Sequence, residues 1–120
     1  MNQPELYFKD RVPLADRENE SRRVRNKYPN RYPLIVEKAE TSNIEQNIDK
    51  TKFLVPGDLT MGQMIYVIRK RIKLEPETAL FIFVDNIMPT TNDVISNVYN
   101  NHKDEDGFLY VKFSGENTFG

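Results

Sequence analysis

The sequence contains no cysteine and no tryptophan among its 120 residues. The lack of cysteine excludes a disulfide framework, thiol catalysis and thiolate metal sites. The sequence also has no large excess of positive or negative charge. It contains 17 Lys and Arg and 18 Asp and Glu, which gives a formal net charge of −1. Such a chain lacks the overall basic field of a protein that binds polyanions.

Long hydrophobic runs are also missing. No apolar stretch approaches the about 20 residues that a membrane-spanning helix needs. The first ten residues, MNQPELYFKD, lack an apolar h-region, so we expect no secretory signal. His102 is the only histidine. With no cysteine and no acidic pair at ligand spacing, we expect neither a metal site nor a cofactor.

No arrangement of residues in the sequence indicates an enzyme. No serine has the context of a catalytic triad. The adjacent acids Asp104, Glu105 and Asp106 resemble a paired-carboxylate site only superficially. Because Gly107 follows them directly, we expect them to form a solvated turn. The sequence therefore predicts a protein without catalytic residues.

The composition changes near Tyr28 and Pro29, and apolar residues are sparse before this point. Pro13 suits a first helical turn, where its missing N–H is not needed. Pro29 disfavours helical geometry at Tyr28. We predict one amphipathic helix between these two prolines, and a shorter helical turn at about residues 4–10.

The second part of the chain carries the signals of two further helices. Thr60 and Gln63 form the T-x-x-Q pattern of a capping box. The helix that follows has apolar residues along one face, namely Met61, Ile65, Ile68 and Ile72. Asp93 is expected to cap a second, short helix.

Four short apolar runs between turn signals predict four strands, at 34–36, 52–55, 80–84 and 108–113. A polar loop at 40–49 separates the first two. The order is strand, strand, helix, strand, short helix, strand, which is the order of the β-grasp, or ubiquitin-like, fold. A ferredoxin-like sandwich is the main alternative, although it normally has a long helix where this sequence has the polar loop.

Several segments of the chain resemble one family, the ubiquitin-like autophagy modifiers that include GABARAP and its relatives. The segments occur in the family's order and cover almost the whole chain. They are KYPNRYP at 27–33, IVEKA at 35–39, KFLVP at 52–56, DLT at 58–60, IRKRI at 68–72, LFIFV at 80–84, HKDEDGFLY at 102–110 and SGENTFG at 114–120.

The resemblance implies an α+β, β-grasp fold with a four-stranded sheet and two additional N-terminal helices. It implies a single domain in three parts. These are an N-terminal helical extension at 1–30, a ubiquitin-like core at 31–114 and a flexible conjugation tail at 115–120.

The resemblance also implies that the chemistry takes place on the carboxylate of Gly120, the last residue of the sequence. Members of this family are conjugated through a terminal glycine to the amino group of phosphatidylethanolamine. Glycine suits the narrow active sites involved because it has no Cβ. The implied partners are ubiquitin-like activating and conjugating enzymes, a deconjugating cysteine protease and, through the lipid, the membrane. The chain would be their substrate and not an enzyme.

A second implied site binds short peptides of autophagy receptors and adaptors, with an aromatic residue and an aliphatic residue three positions later. We name its two parts the aromatic pocket and the aliphatic pocket. The aromatic pocket is expected from Glu20, Val24, Pro33, Ile35, Lys52, Leu54 and Phe108. The aliphatic pocket is expected from Phe53, Val55, Pro56, Leu59, Met64, Val67 and Arg71. Arg31, Lys50 and Lys52 are expected to attract acidic residues that flank the motif.

Some of these residues have a second interpretation. Ile35, Leu54 and Val67, taken singly, fit an ordinary core equally well. Met64 stands where relatives commonly carry phenylalanine, and methionine is flexible enough to adapt to varied ligands. The basic run at 22–31 contains no acid and fits either a solvated helical face or a contact with anionic membrane or protein.

We therefore predict a ubiquitin-like modifier that acts in autophagosome formation and recruits cargo receptors. It is expected in the cytoplasm, and on the autophagosome membrane when lipidated. The alternative is a non-conjugated ubiquitin-like adaptor in vesicle trafficking or cytoskeletal attachment. No nucleic-acid-binding motif is present, so we expect no nucleic-acid partner.

Overall fold

The structure is a computed structural model, and it describes residues 7–117. The elements follow the order α1 (Phe8–Arg11), α2 (Leu14–Lys27), β1 (Arg31–Lys38), β2 (Lys52–Pro56), α3 (Met61–Ile72), β3 (Phe81–Phe83), α4 (Ile95–His102) and β4 (Leu109–Ser114). The predicted helical turn at about 4–10 corresponds to α1, although residues 4–6 lie outside the described residues. No helix in the described part is long and apolar enough to cross a membrane.

The strands form one mixed sheet with the order β2-β1-β4-β3. β1 pairs antiparallel with β2 and parallel with β4, and β3 pairs antiparallel with β4. The predicted β-grasp fold is confirmed, and the ferredoxin-like alternative is wrong. β1 is longer than predicted because Arg31 and Tyr32 pair with Pro56 and Val55 at the far end of β2.

The helix α3 packs its apolar face on one side of the sheet. Its capping box is formed, since Gln63 N–H donates to Thr60 Oγ1 at 3.1 Å and Thr60 N–H donates to Gln63 Oε1 at 2.9 Å. The buried residues of the helix are Met61, Met64, Ile68 and Ile72. Ile65 is only partly buried at the edge of this cluster. Met64 therefore takes the core position that the sequence pattern assigns to Ile65.

β1 is buried on both faces of the sheet. Leu34 and Val36 belong to the main core, which includes the buried residues of α3. Ile35 lies between them in sequence and belongs to a second cluster with Phe8 of α1 and Phe108. Because successive side chains of a strand point to opposite faces, the N-terminal segment covers the sheet face opposite α3.

A buried carboxylate joins α2 to the loop before β4. Asp106 is 1% exposed, and Arg17 Nη1 of α2 lies 3.3 Å from its Oδ2. The N–H of Phe108 and the hydroxyl of Tyr110 also donate to this carboxylate, while Ser21 donates to the Asp106 carbonyl. Burial, reinforced by the hydrogen bond to Asp106, raises the pKa of Tyr110 well above its usual value. The expectation that Asp106 lies in a solvated turn is wrong.

The start of α4 also differs from the sequence prediction. Its N-cap residue is Val94, without a side-chain cap hydrogen bond, so the expected cap by Asp93 is wrong. The backbone carbonyl of Asp93 instead accepts the N–H of Met61 at 2.8 Å. This bond ties the starts of α3 and α4 together, which a local capping preference does not anticipate.

Part of the basic run at 22–31 has a structural role. Arg25 Nη1 donates to the carbonyls of Pro29 at 2.7 Å and Arg31 at 2.8 Å. Its guanidinium carbon lies 4.3 Å from the ring centroid of Tyr32. Arg25 thus stabilises the turn between α2 and β1 rather than belonging to a wholly solvated face.

The variant Asp106→Ala is expected to lower the free energy of unfolding by about 3–5 kcal/mol, because it leaves the buried Arg17 without its carboxylate partner. The matched control is Glu105→Ala at the neighbouring exposed position, which is expected to change it by no more than about 0.5 kcal/mol. Urea unfolding of both variants measures the difference. Equal, small effects would contradict the role given to Asp106.

Candidate functional site

β2 lies at an edge of the sheet, and β1 is its only neighbouring strand among residues 7–117. Directly before β2, Val36 N–H donates to Thr51 O at 2.8 Å, so Val36 and Thr51 form a hydrogen-bonded pair. Hydrogen-bonded and non-hydrogen-bonded pairs alternate along an antiparallel ladder, so the next residue, Lys52, is in a non-hydrogen-bonded pair, and so is Leu54. The backbone N–H and C=O groups of Lys52 and Leu54 therefore point away from β1. Pro33, opposite Leu54, has no N–H to donate, which fits this register. An added extended chain can pair with such an edge.

The side chains of β2 alternate between the two sides of this edge. Lys52 and Leu54 lie opposite Ile35 and Pro33. Phe53 and Val55 lie on the other side, against the main core. The residues predicted for the aromatic and aliphatic pockets therefore stand on opposite faces of the sheet edge.

The two residue sets match the spacing of the predicted motif. In an extended peptide the side chains alternate with a period of two, so residues three positions apart point to opposite faces. Residues two positions apart point to the same face. A peptide added to β2 can therefore reach both pockets with an aromatic-x-x-aliphatic spacing.

The residues predicted for the aromatic pocket come together between α2 and the sheet. Pro33, Ile35 and Phe108 are buried, Glu20, Val24 and Leu54 are half-buried, and Lys52 is exposed. Lys52 Nζ lies 2.9 Å from Glu20 Oε2, so this ion pair connects β2 to α2. Ile35 and Phe108 form an apolar floor, and the ion pair stands at the rim.

The residues predicted for the aliphatic pocket lie between β2 and α3. Val55 and Met64 are buried, Phe53, Leu59 and Val67 are half-buried, and Pro56 and Arg71 are exposed. Met64 is 0% exposed and belongs to the main core, so a ligand would meet its half-buried neighbours first. Arg71 Nε lies 3.0 Å from Asp49 Oδ1, which ties the loop before β2 to α3.

An open cavity of about 590 Å³ continues beside the aliphatic pocket. It shares Leu59 and Val67 with that pocket. Its remaining lining residues are Thr60, Gly62, Gln63, Tyr66, Thr91 and Asn92. Sequence reasoning missed this cavity, because Thr91 and Asn92 come from the segment before α4 and carry no motif of their own.

The three cations predicted to attract acidic flanking residues are all exposed at β2 or beside it. Arg31 Nη1 lies 3.4 Å from the carbonyl oxygen of Leu54, on the free edge. Lys50 Nζ lies 5.2 Å from the ring centroid of Phe53. Lys52 pairs with Glu20, as described above. These positions agree with a positive border along the edge strand.

A second cavity of about 220 Å³ has side chains of opposite charge in its lining. His102 Nδ1 lies 2.9 Å from Asp85 Oδ2, and Lys9 pairs with Asp104. Burial raises the pKa of Asp104, but hydrogen bonds from Lys9 and the Asp106 N–H outweigh it and hold the pKa below its usual value. Among residues 7–117, no group of three His, Cys, Asp or Glu side chains is arranged to hold a metal ion.

Gly120 lies outside the described residues, as do residues 118 and 119. The segment that leads to it leaves β4 at Ser114, and Glu116 N–H donates to Ser114 Oγ at 3.1 Å. Gly115 lies so close to the polar loop that a Cβ there would overlap the Asn43 side chain and press tightly against Ile44. The start of the predicted conjugation tail thus packs against the polar loop between β1 and β2.

Comparisons with known proteins agree on one family. A family profile described as "Autophagy protein Atg8 ubiquitin like" matches residues 16–120. The chain is 59% identical over 113 residues to Autophagy-related protein 8d of Arabidopsis thaliana, covering 94% of this chain and 93% of that protein. The identity is also 59% to Autophagy-related protein 8 of Aspergillus niger, with 94% and 95% covered. The crystal structure of Trypanosoma brucei ATG8 superposes with a TM-score of 0.87 at 42% identity, covering 98% of this chain and 100% of that one.

The burial of Met64 leads to a prediction about stability. Met64→Ala is expected to lower the free energy of unfolding by about 2–5 kcal/mol, because it leaves a cavity in the core. Met64→Leu conserves the volume and is expected to cost less than about 1.5 kcal/mol.

Tyr66→Ala is the control on the same helix, since Tyr66 is 58% exposed. Urea unfolding compares the three variants. A Met64→Ala effect as small as that of Tyr66→Ala would mean that Met64 is not a core residue.

Proposed function

This chain belongs to the Atg8 family of ubiquitin-like autophagy proteins, and we propose how it acts within that family. It is conjugated through Gly120 to phosphatidylethanolamine. It recruits receptors and adaptors that carry an aromatic-x-x-aliphatic motif. It resides in the cytoplasm and, when lipidated, on the autophagosome membrane.

The observation that carries receptor binding is the free edge of β2, with one apolar residue set on each face. The edge offers N–H and C=O groups to an extended peptide, and hydrogen bonds to them contribute affinity that does not depend on the peptide's side chains. The two sets then read side chains three positions apart. The exposed cations Arg31, Lys50 and Lys52 add attraction for acidic flanks, chiefly by raising the association rate.

Conjugation depends on the tail that follows β4. The carboxylate of Gly120 attacks the α-phosphate of ATP, which forms an acyl adenylate and releases pyrophosphate. A cysteine thiolate of a partner enzyme then attacks the acyl carbon, which forms a thioester and releases AMP. The amine of phosphatidylethanolamine attacks the thioester carbonyl, so that an amide bond forms and the enzyme's thiol leaves. Because this chain has no cysteine, every thiol in the sequence of steps belongs to its partners.

Conjugation is tested with Gly120→Ala. Incubation with the activating and conjugating enzymes, ATP and phosphatidylethanolamine liposomes is expected to add the mass of one phospholipid to the unchanged chain. The variant is expected to lose this product while keeping its unfolding transition, because the added Cβ obstructs the narrow active sites.

Liposomes of phosphatidylcholine, which lack a primary amine, are the control for the chemistry. Mass spectrometry and membrane flotation provide the two measurements. Conjugation of Gly120→Ala at the normal rate would overturn the role of Gly120. If the wild-type chain gains no lipid, the result would favour the alternative of a non-conjugated adaptor.

Receptor binding is tested by changing the spacing within the peptide. A peptide with Trp-x-x-Leu in an acidic context is expected to bind, measured by calorimetry. The peptide Trp-x-Leu is expected to bind at least about tenfold more weakly, because both side chains then point to one face.

The control is a third peptide of the same composition and charge, with its order scrambled. If Trp-x-Leu binds as tightly as Trp-x-x-Leu, the two pockets do not act on opposite faces of one edge. If neither peptide binds more tightly than the scrambled one, the proposed receptor site is wrong.

A further inference from the structure

We propose that Phe8 forms the back wall of the aromatic pocket and thereby selects the size of the ring that the pocket accepts. The inference rests on the receptor-binding function proposed above. It assigns a role in peptide selection to a residue of α1 that stands outside the predicted pocket.

Phe8 contacts both the floor and the rim of this pocket. It is 1% exposed and shares one apolar cluster with Ile35 and Phe108. The Phe8 and Phe108 ring centroids are 5.3 Å apart in an edge-to-face arrangement, with an angle of 76° between the rings. Lys52 Nζ, which pairs with Glu20 at the rim, lies 5.1 Å from the Phe8 ring centroid. Phe8 therefore supports three residues of the predicted pocket.

The position of Phe8 is held by contacts that do not involve the pocket. The N–H of Phe8 donates to the buried Glu37 Oε2 at 2.8 Å, and Lys112 Nζ donates to the other oxygen of Glu37 at 3.3 Å. The hydroxyl of Tyr7 donates to the Lys38 carbonyl at 2.7 Å. Lys9 pairs with Asp104 on the other side of Phe8. These bonds hold the Phe8 ring in place, so we expect it to remain behind the pocket and not to be displaced when a ligand binds.

A fixed wall sets the depth of the pocket. A ring that enters between α2 and β2 stops at Ile35 and Phe108, because the Phe8 ring fills the space behind them. Without that ring, Ile35 and Phe108 gain room to move back, and the pocket becomes deeper. A large indole then keeps its contacts with the floor, whereas a phenyl ring no longer reaches it.

The test uses Phe8→Ala in the full chain with two peptides that differ only in the first motif residue, Trp-x-x-Leu and Phe-x-x-Leu. The affinity for the Phe peptide is expected to fall about three- to tenfold, the size of an aromatic packing contribution. The affinity for the Trp peptide is expected to fall less. The preference for Trp over Phe therefore increases by about threefold or more.

Two further variants make the test specific to the wall. Phe8→Leu keeps an apolar side chain, so it is expected to give a smaller shift in the same direction, and it carries the test if Phe8→Ala does not fold. Val12→Ala removes a partly buried side chain that packs against the same cluster, but it leaves the Phe8 ring in place. It is expected to leave the Trp-to-Phe ratio unchanged.

A change at the fourth peptide position provides an internal control. Replacing Leu by Ala there is expected to weaken binding equally to the wild type and to Phe8→Ala, because the aliphatic pocket lies on the other face of the sheet. A double-mutant cycle measures this independence.

Three results would overturn the inference. Equal losses for the Trp and Phe peptides would mean that Phe8 only stabilises the fold. Tighter binding of both peptides would make Phe8 a competing plug. If Phe8→Ala binds both peptides normally and the Trp-to-Phe affinity ratio is unchanged, Phe8 has no role in selecting the ring. If the wild type binds neither peptide, the proposed receptor site itself fails, and the inference with it.

Discussion

Burial of β1 on both faces is the constraint from which the arrangement of the molecule follows. Leu34 and Val36 need an apolar layer on one side, and Ile35 needs one on the other. The helix α3 supplies the first layer, and the N-terminal segment supplies the second. Since β4 occupies one edge of β1, β2 is left as the outer strand on the other side. β2 is therefore an edge strand with α3 on one face of the sheet and the N-terminal segment on the other. An extended peptide paired with β2 would place alternate side chains against these two layers.

A buried carboxylate holds the second of these layers in place. Asp106 accepts hydrogen bonds from Arg17, Phe108 and Tyr110, so its desolvation is offset by several donors. Arg17 belongs to α2, the helix that also carries Glu20 and Val24 of the aromatic pocket. The polar network therefore determines where one wall of the predicted pocket stands, and it also holds the backbone of Phe108, whose ring forms part of the pocket floor. Under the proposed function, the placement of α2 would therefore couple the stability of the fold to peptide recognition.

The features that depend on local periodicity could be predicted from the sequence, and those that depend on distant partners could not. The capping box of Thr60 and the four strands follow from neighbouring residues. The burial of Asp106 cannot be predicted locally, because its partner Arg17 is 89 positions away and a run of three acids before a glycine is typical of a solvated turn. Asp93 does not cap α4, because its carbonyl accepts the N–H of Met61 at the start of α3. The role of Phe8 is likewise invisible in sequence, since only the fold brings it to Ile35 and Phe108.

The charges around the edge strand bear on the rate of recognition more than on its free energy. Lys52 already pairs with Glu20, and both side chains are partly exposed, at 51% and 25%. An acidic peptide residue that takes Lys52 from Glu20 exchanges one solvent-exposed ion pair for another, and each such pair is worth about 0–1 kcal/mol. The exchange is therefore close to neutral in free energy. In the proposed complex, the exposed cations would still attract an acidic peptide towards β2 before contact, an effect that salt weakens. In the proposed complex, affinity must then come from the backbone of the edge and from the two predicted pockets, so the depth of the aromatic pocket would decide which partners are selected.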